Sequence, residues 1–473
     1  MKIDLPRKIL DLVSTFENKN YEIYIVGGVV RDILMGKGVY DWDFTTNARP
    51  EEIMKLIPDA FYDNKFGTVG IPSASSRPYE ITTFRTEHGY SDARRPDKIE
   101  WGKTLEEDLK RRDFTINAMA LRPVQTKKLK NKKTEKKLKK SKEISLDFEI
   151  TDLYNGQRDL DKKLIRAVGD PNERFSEDAL RMIRAVRIAS ELGFKIEEKT
   201  RLAIKENVSL INKIAKERIR DELLKTLASA HPYQGTVLLR ETGLMQEILP
   251  EMEKTIGVEQ ASPGRHHIYD VGTHSMLSLK YVAEKNTDPI VRFATLIHDI
   301  GKPQTYKKLK NGTITFYNHE IVSGKVAKRI ADRFRFSKKQ KDKLWRLVRY
   351  HQFTVDENQT DSAIRRFIRK VGIENVPDML DLRVGDRLGG GARVTSWRLE
   401  EFKERLIEVQ KQPFTVHDLK ITGHDVMEIL KLEPGPKVGE VLQNLFDEVV
   451  EKQLPNEKEA LIEKLKLIKG ATY

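Results

Sequence analysis

The chain has 473 residues, of which 33% are charged and none is cysteine, and its formal net charge is +14. This length suffices for two to four domains with separate cores, and the positive charge points to a polyanionic partner, with nucleic acid as the leading candidate. The absence of cysteine excludes disulfides and thiolate metal sites, and no apolar stretch approaches the roughly 20 residues that cross a bilayer. No basic stretch near the N-terminus leads into a long apolar run, so we expect a cytoplasmic protein with no membrane contact.

The first part of the chain has a mixed α and β pattern. After an amphipathic opening helix, residues 21–26 alternate like a short strand, Gly27-Gly28 interrupts the pattern, and residues 29–35 resume as a helix. A second strand is predicted at Asp41-Trp42-Asp43-Phe44 and a third at residues 79–84, which are rich in β-branched and aromatic side chains. The local order is therefore strand, glycine turn, helix, and then further strands.

Residues 125–143 contain ten lysines and two glutamates. So few apolar side chains cannot offset the entropy of ordering, which predicts a mobile loop, either a solvated insertion without a specific role or a tether for an RNA backbone. From residue 172 onward helical periodicity dominates. The predicted fold class is α+β, with a small mixed α/β head followed by a long, mainly helical body.

Two carboxylates in the second strand indicate a metal site. Residues two apart on a strand project from the same face, so Asp41 and Asp43 would lie a few ångströms apart. Such oxygen ligands suit Mg²⁺, and a two-metal clamp serves phosphoryl transfer, although an isolated Asp-x-Asp usually marks a polar turn. The glycine turn adds context, because Gly28 permits close approach of a triphosphate to a helix N-terminus whose first turn carries Arg31.

Two motifs carry a resemblance to a known family. The run Val26-Gly27-Gly28-Val29-Val30-Arg31-Asp32, followed by Asp41-Trp42-Asp43, is similar to the catalytic signature of the class II tRNA nucleotidyltransferases and the related bacterial poly(A) polymerases. The segment Arg111-Arg112-Asp113-Phe114-Thr115-Ile116-Asn117-Ala118 resembles the second motif of that family. The resemblance implies that Arg111 contacts the nucleotide and that Asp113 helps to distinguish ribose from deoxyribose.

A third segment, residues 177–187, resembles the base-recognition motif of the family and is expected on a helix. Cytosine and adenine each present an amino donor beside a ring-nitrogen acceptor, whereas uracil and guanine present a carbonyl beside a ring NH. Asp178 accepts and Arg181 donates, and at three-residue spacing on a helix they are neighbours that match C and A. The resemblance implies that Arg184 and Arg187 also contact the nucleotide, through its phosphates; the alternative is a basic helix face.

The second half of the chain contains a candidate metal centre. The dipeptide His298-Asp299, with His274 before it and Asp386 after it, resembles the ligand set of the HD phosphohydrolase superfamily. Two imidazoles and two carboxylates can hold a divalent ion and leave positions open for water. His319 and His351 are candidates for a second ion, or else ordinary histidines. The resemblance implies metal-dependent hydrolysis of phosphate esters, such as 2′,3′-cyclic phosphates or damaged tRNA ends.

We therefore expect four regions: a nucleotidyltransferase head at residues 1–170 with the lysine-rich insertion at 125–143, a helical neck at 171–260, an all-α HD domain at 261–400, and a C-terminal helical tRNA-binding region at 401–473. Within the last of these, residues 414–470 resemble the C-terminal region of CCA-adding enzymes, especially at Ile421-Thr422-Gly423-His424-Asp425 and Pro434-Gly435-Pro436-Lys437-Val438-Gly439. The oligomeric state does not follow from the sequence.

The function expected from the resemblance is addition of C, C and A to the 3′ end of tRNA, from CTP and ATP and without a template, with Mg²⁺ at Asp41 and Asp43. Residues 86–96 resemble the loop that family members need for switching from C to A, which argues against an enzyme that adds only C. The alternatives are a poly(A) polymerase, a specialist that adds only A or only CC, and a phosphohydrolase whose head merely binds RNA.

Overall fold

The computed structural model divides the chain into two compact units, Met1–Glu253 and Lys254–Tyr473, called here the first and second units. The described residues are 2–39, 41–64, 67–73, 78–88, 98–124, 143–261, 268–353, 355–356, 359–392, 397–410, 416–450 and 453–470. Residues 125–142 of the lysine-rich segment and 89–96 of the predicted switching loop lie outside them.

The described part of the first unit contains a mixed eight-stranded sheet in the order β1-β10-β9-β2-β3-β6-β5-β4. Strands β3 and β6 are parallel, and every other neighbouring pair in the sheet is antiparallel. The strands of this unit are β1 (Lys2–Pro6), β2 (Ile23–Val26), β3 (Asp43–Thr46), β4 (Phe61–Asn64), β5 (Thr68–Ile71), β6 (Tyr79–Thr83), β7 (Arg85–His88), β8 (Lys98–Trp101), β9 (Met119–Pro123), β10 (Glu143–Asp152), β11 (Leu164–Ile165) and β12 (Lys195–Ile196).

Helices cover the sheet of the first unit and dominate from residue 171 onward, as the sequence predicted. Their bounds are α1 (Arg7–Glu17), α2 (Gly28–Leu34), α3 (Pro50–Leu56), α4 (Leu105–Lys110), α5 (Gly156–Asp161), α6 (Pro171–Glu177), α7 (Leu180–Leu192), α8 (Glu198–Asn207), α9 (Lys216–Ala228), α10 (Pro232–Glu241), α11 (Leu244–Ile248) and α12 (Pro250–Glu253). Short 3-10 helices span Thr115–Asn117 and Val208–Lys213.

The opening helix α1 is amphipathic, as predicted, and buries Ile9, Val13 and Phe16 against the sheet. These positions recur at four- and three-residue intervals and therefore share one helix face. A strand that the sequence did not predict precedes this helix: β1 pairs with β10, which lies far along the chain. Pairing between distant segments has no local sequence signal, so the pattern of residues 2–6 alone did not indicate a strand.

Helix α7 combines a core face with an arginine face. Leu180, Ile183 and Val186 are almost completely buried. Of the arginines at every third position from residue 181, Arg181 is buried as well, whereas Arg184 and Arg187 are partly exposed. The helix ends at Gly193, whose φ of 69° is the left-handed conformation typical of a helix C-terminus. Packing of α7 against α9 and α10 fixes the direction of the arginine stripe.

The second unit is helical in its described residues, apart from one short pair of strands, β13 (Lys307–Lys308) and β14 (Ile314–Thr315). Its helices are α13 (Val271–Val282), α14 (Pro289–Ile297), α15 (Lys302–Thr305), α16 (His319–Arg333), α17 (Lys338–Tyr350), α18 (Asp361–Val371), α19 (Val376–Gly389), α20 (Trp397–Gln410), α21 (Gly423–Leu430), α22 (Pro436–Val450) and α23 (Lys458–Gly470). Short 3-10 helices span Ile373–Asn375 and Val416–Asp418.

Glycines allow α13 and α19 to pack closely. A Cβ at Gly385 would collide with Val282, and a Cβ at Gly389 would collide with Ser278. These glycines flank Asp386, so the close approach carries that carboxylate to the first helix turns of α13, where His274 lies. Overpacking such a contact costs about 1 to 3 kcal/mol, which makes glycine at both positions a structural requirement.

A separate core in the second unit joins α21, α22 and α23, with Val426, Phe446 and Leu461 fully buried. The mixed head and the helical remainder confirm the predicted α+β class. Among the described residues, no helix is both long and apolar enough to span a bilayer.

Candidate nucleotide and metal sites

A glycine turn brings the backbone between β2 and α2 against one carboxylate of the predicted pair. Gly27 has a φ of 78°, which glycine adopts without strain. A Cβ at Gly27 would lie 3.4 Å from Oδ2 of Asp43 and 3.2 Å from Nη1 of Arg112. The missing side chain therefore lets the turn, the carboxylate and the guanidinium converge at the first turn of α2.

The two aspartates are neighbours, but they do not share a strand. Strand β3 begins at Asp43, opposite Glu80 of β6, whereas Asp41 lies in an exposed bend before it. The prediction that strand geometry aligns both carboxylates is therefore wrong, because the ladder that would extend the strand starts only at Asp43. The two groups still interact, since the charge of Asp41 acts on Asp43.

The environment of Asp43 favours a nearby cation. Burial raises the pKa of Asp43, and Asp41 raises it further, while Arg112 and Arg184 oppose the shift. A partly buried carboxylate beside a second one is most stable when a positive charge compensates both. Because the two side chains offer only oxygen donors, they fit a hard divalent ion such as Mg²⁺.

Arg31 ties helix α2 to the second motif. Its Nε and Nη2 donate to the two carboxylate oxygens of Asp32 at 2.9 and 3.0 Å, and its Nη1 donates to Oδ1 of Asn117 at 2.9 Å. The Nδ2 of Asn117 donates in turn to Oδ1 of Asp113 at 3.2 Å. The guanidinium also folds over Gly28, where a Cβ would lie 3.2 Å from Nη2 of Arg31.

A buried aspartate that the sequence reasoning missed holds both arginines of the second motif. The fully buried Asp108 accepts from Nη2 of Arg111 at 2.5 Å and from Nη2 of Arg112 at 3.0 Å. These arginines lower the pKa of Asp108, although burial alone would raise it. Spacing of three and four residues along α4 was the available sequence signal. Arg112, rather than Arg111, is the arginine that lies beside the Gly27 turn together with Asp43 and lowers the pKa of that carboxylate.

The pair of Asp113 and Arg184 joins the second motif to helix α7. Both Nε and Nη2 of Arg184 donate to Oδ2 of Asp113, at 3.0 and 2.6 Å. Burial alone would raise the pKa of Asp113, but Arg184 holds it well below its usual range. Arg184 also acts electrostatically on Asp43, so the two motifs and the arginine helix meet in one region of the first unit.

The two predicted base-reading residues do not share a helix. Asp178 lies between α6 and α7, with its Oδ1 accepting from the backbone N–H of Leu180 at 3.0 Å. Arg181 lies in α7 and donates to Glu177 at 2.6 Å and to the carbonyl of Arg111 at 2.8 Å. The prediction of one continuous helix is wrong here because the Asp178 side chain caps the start of α7 instead of continuing α6.

Arg187 lies in a different environment from Arg184. Its Nε donates to Glu222 at 2.6 Å, and its Nη1 donates to Glu191 at 2.9 Å. Glu222 is buried, so the pair links α7 to α9. Two carboxylates already neutralise this guanidinium in the structure.

The four predicted ligands of the second unit lie together. The Nε2 of His274 lies 3.1 Å from Oδ1 of Asp386, and the Nε2 of His298 lies 3.2 Å from Oδ2 of Asp299. One ligand atom from each of His274, His298 and Asp299 falls within 4.8 Å of the others. Asp386 faces both imidazoles, at 3.1 and 3.5 Å.

A second cluster shares Asp299 with the first. The Nε2 atoms of His319 and His351 lie 3.2 and 3.5 Å from Oδ1 of Asp299, and 3.3 Å from each other. The two clusters use different oxygens of one carboxylate, an arrangement suited to two neighbouring cations. Burial of both imidazoles beside a carboxylate favours metal ligands over the alternative of ordinary histidines.

Backbone carbonyls orient three of these imidazoles. The Nδ1 atoms of His298, His319 and His351 lie 2.7 to 2.8 Å from the carbonyls of residues 295, 316 and 348. Donation from Nδ1 leaves Nε2 as the ligand atom, the usual outer-shell arrangement of a metal-binding histidine. The donor set of imidazole and carboxylate therefore fits a divalent transition metal.

The electrostatics of this cluster also favour cations. Burial would lower the pKa of His298, but Asp299 and Asp386 raise it to about 10. The ammonium of Lys302 donates to Oδ2 of Asp299 at 2.6 Å and to Gln260 at 2.9 Å. Lys302 and His319 also line an adjoining cavity of about 370 Å³.

Comparison with known proteins gives three matching families. The family described as "Poly A polymerase head domain" matches residues 23–166, "Probable RNA and SrmB- binding site of polymerase A" matches residues 193–256, and "tRNA nucleotidyltransferase domain 2 putative" matches residues 314–465. The CCA-adding enzyme of Lactiplantibacillus plantarum is 32% identical over 460 residues, which cover 97% of this chain and 95% of the relative. The CCA-adding enzyme of Lactobacillus helveticus is 44% identical over 242 residues, which cover 51% of this chain and 55% of that relative.

Solved structures give the same result. The crystal structure of the Bacillus stearothermophilus CCA-adding enzyme in complex with CTP has a TM-score of 0.67 and 26% identity, with 98% of both chains covered. The Thermotoga maritima CCA-adding enzyme complexed with tRNA has the same fold, at a TM-score of 0.54 and 19% identity, covering 99% of this chain and 100% of that chain. The fold and the family descriptions together define a nucleotidyltransferase. The chain belongs to the family of CCA-adding enzymes, the tRNA nucleotidyltransferases that the two sequence motifs indicated.

Proposed function

We propose that this chain adds C, C and A to the 3′ end of tRNA, taking CTP and ATP and using no template. Its support is the full-length similarity to CCA-adding enzymes, one of them solved with CTP and another with tRNA. The observation that carries the proposal is the approach of Asp43 to the Gly27 turn beside Arg112. A carboxylate, the N–H groups at a helix start and an arginine together suit a triphosphate and its cation.

Asp41 and Asp43 would hold Mg²⁺, since the family typically uses divalent metals and both side chains supply oxygen donors. When bound, the ion would supply Lewis acidity toward the attacking 3′ hydroxyl and the leaving pyrophosphate. Arg112 lies beside the Gly27 turn with Asp43 and would balance part of the triphosphate charge. Asp108 fixes that arginine in place.

We propose nucleotide contacts for the remaining predicted residues, with unequal support. These are Gly28, Arg31, Arg111, Asp113, Asp178, Arg181, Arg184 and Arg187. Arg184 has the strongest support, because it donates to Asp113 at 2.6 Å and its charge also acts on Asp43. Nucleotide contact by Arg187 stays a prediction from sequence, and its two carboxylate partners favour a structural role.

Base choice would depend on Asp178 and Arg181. Glu177 and the carbonyl of Arg111 hold the Arg181 guanidinium in a fixed orientation, as a reader of one hydrogen-bonding edge requires. An acceptor beside a donor matches C and A, and each mismatched contact with U or G should cost about 1 to 3 kcal/mol.

The test uses end-labelled tRNA that stops at its discriminator base, incubated with CTP and ATP. Asp41→Asn and Asp43→Asn should abolish incorporation, while Asp59→Asn, an exposed aspartate of the same unit, should not. Addition of three nucleotides is the expected product. A long A tail would identify a poly(A) polymerase instead. Arrest after two C residues would identify a CC-adding specialist, and an enzyme that extends only tRNA already ending in CC, by one A, would be an A-adding specialist.

A second candidate function is metal-dependent hydrolysis of phosphate esters at the histidine cluster. Its support is the convergence of four Nε2 atoms on Asp299 and Asp386, with three rings oriented by carbonyls. A divalent ion held there would supply an activated water, while Lys302 beside the cavity would bind the phosphate. The class of substrate is a 2′,3′-cyclic or terminal phosphate ester.

Two measurements test this second function. Metal content of the purified protein after loading with Mn²⁺ or Ni²⁺ should fall in His298→Ala and Asp299→Asn, but not in His424→Ala, an exposed histidine of the same unit. The rate of 2′,3′-cyclic AMP hydrolysis should fall together with the metal content in these two variants, and it should be unchanged in Asp43→Asn. Retention of metal in the cluster variants would exclude the site.

We also propose the four-region organisation at residues 1–170, 171–260, 261–400 and 401–473. The boundary between the two compact units, after Glu253, lies near the end of the proposed neck. The cytoplasmic location stays a prediction from the sequence.

A further inference from the structure

A second cavity of the second unit has a cationic lining. It has a volume of about 230 Å³ and is lined by Val355, Arg383, Arg387, Trp397, Arg398 and Leu399, called here the arginine pocket. Three of the six lining residues are arginines, and none is acidic. Asp386 balances part of the charge of Arg383, but three guanidinium groups around one small cavity still repel one another, so an anion inside it would be favoured.

Arg387 and Arg383 reach the pocket from one face of α19. The Nε of Arg387 is buried and has no hydrogen-bond partner among the described residues. A buried, unsatisfied donor on a charged group costs about 1 to 3 kcal/mol or more, and an anionic acceptor would remove that cost. Arg383 packs over the ring of Phe353 at 5.5 Å, which holds its guanidinium at the lining.

The first turn of α20 supplies an aromatic surface. Trp397 is 62% exposed, and the guanidinium of Arg398 lies 5.0 Å from its ring centroid. An exposed indole beside arginines suits a nucleic-acid base, because every base presents a π-face and aromatic stacking tolerates any sequence. Isolated phosphate would use the arginines but would not need Trp397.

The pocket lies one side chain away from the histidine cluster. The Nη1 of Arg383 lies 3.4 Å from Oδ2 of Asp386, whose Oδ1 faces His274 at 3.1 Å. An anion on Arg383 would therefore approach the candidate metal ligands without displacing one of them. The volume suits one phosphate with part of its sugar, leaving the base to lie outside against Trp397.

We propose that the arginine pocket binds one nucleotide unit, with its phosphate on Arg383 and Arg387 and its base stacked on Trp397. The ligand is either a free nucleoside monophosphate or a nucleotide of a single RNA strand, which share this chemistry. Binding at this pocket is independent of CCA addition and does not require the proposed hydrolysis.

The experiment titrates the full-length protein with 5′-AMP, and separately with a single-stranded ACCA oligoribonucleotide, while tryptophan emission is recorded. A saturable quench that disappears in Trp397→Phe is expected. Arg387→Ala should raise the apparent dissociation constant about tenfold, and Arg387→Lys by less, because lysine keeps the charge but loses the planar fork.

Two matched variants serve as controls. Trp345→Phe removes another indole that lies beside a cation in the same unit, and Arg329→Ala removes an exposed positive charge. Both should keep the quench and its dissociation constant. Saturation by AMP assigns the pocket to free nucleotides, and saturation by the oligonucleotide alone assigns it to RNA. A quench that survives Trp397→Phe, or that Arg329→Ala weakens as much as Arg387→Ala does, overturns the proposal.

Discussion

Carboxylates hold the arginines of the first unit, and several of these pairs join segments that are distant in sequence. Arg184 binds Asp113, and Arg187 binds Glu222. Motif spacing supplied the arginines but not their acidic partners, because a sequence states which charges exist and not which of them meet. Glu222 was missed for that reason, and Asp113 was named only because it lies inside a motif. Asp108 was missed although its spacing of three and four residues from Arg111 and Arg112 was available in the sequence.

The Asp113–Arg184 pair should contribute measurably to stability. A double-mutant cycle with Asp113→Ala and Arg184→Ala should give a coupling free energy of about 1 to 3 kcal/mol, less than for a fully buried pair, because 35% of the Arg184 side chain is exposed. Urea unfolding followed by fluorescence measures it. The exposed pair of Arg7 and Asp11, 3.6 Å apart, is the control and should give less than about 1 kcal/mol. Equal coupling in both pairs would contradict the prediction.

The same pair predicts a dependence on pH. The pKa of Asp113 is lower in the folded protein than its unfolded value of about 4, so its contribution is present above that pH and is lost as the pH falls through the folded value. The difference in unfolding free energy between the protein and Asp113→Asn should stay constant from about pH 5 to 7 and shrink below about pH 4. A difference that grows toward acid pH would show that the charged form is not the one stabilised.

At the scale of elements, local patterns predicted local structure. The strand, the Gly27 turn and helix α2 were predicted because alternation and a glycine break are encoded within a few residues. The end of α6 at Asp178 was missed, since the surrounding residues all favour helix and only the side-chain cap on Leu180 interrupts it. The histidine cluster was predicted from four scattered residues only through resemblance to a superfamily.

The histidine cluster depends on the close packing of helices α13 and α19. Gly389→Ala would place a methyl group against Ser278 and the backbone of His274. We expect it to lower the unfolding free energy by about 1 to 3 kcal/mol, with a lower melting temperature in thermal unfolding. Gly439→Ala is the matched control, because a Cβ on that helical glycine meets nothing within 4 Å and should be neutral or slightly stabilising. If Gly389→Ala and Gly439→Ala had equal melting temperatures, the contact between α13 and α19 would not limit stability, and the prediction would be wrong.

On the scale of the whole molecule, the net charge of +14 is distributed over a chain whose family acts on tRNA. Ten lysines of the segment at residues 125–143 contribute much of that excess. Their role was left open between a solvated insertion and an RNA tether. Counting the counterions released on binding distinguishes these alternatives, because only a lysine that meets a phosphate releases one.

Binding of tRNA should therefore weaken steeply with salt. A few phosphate contacts would lower the affinity roughly a hundredfold between 50 and 200 mM salt, with the logarithm of the association constant falling linearly against the logarithm of salt concentration. Filter binding with labelled tRNA measures the slope, and an affinity independent of salt would contradict the prediction. Replacing the ten lysines by glutamine then measures how much of the salt dependence comes from this segment. An unchanged slope identifies a solvated insertion, whereas the decrease in slope gives the number of lysines that contact the RNA backbone.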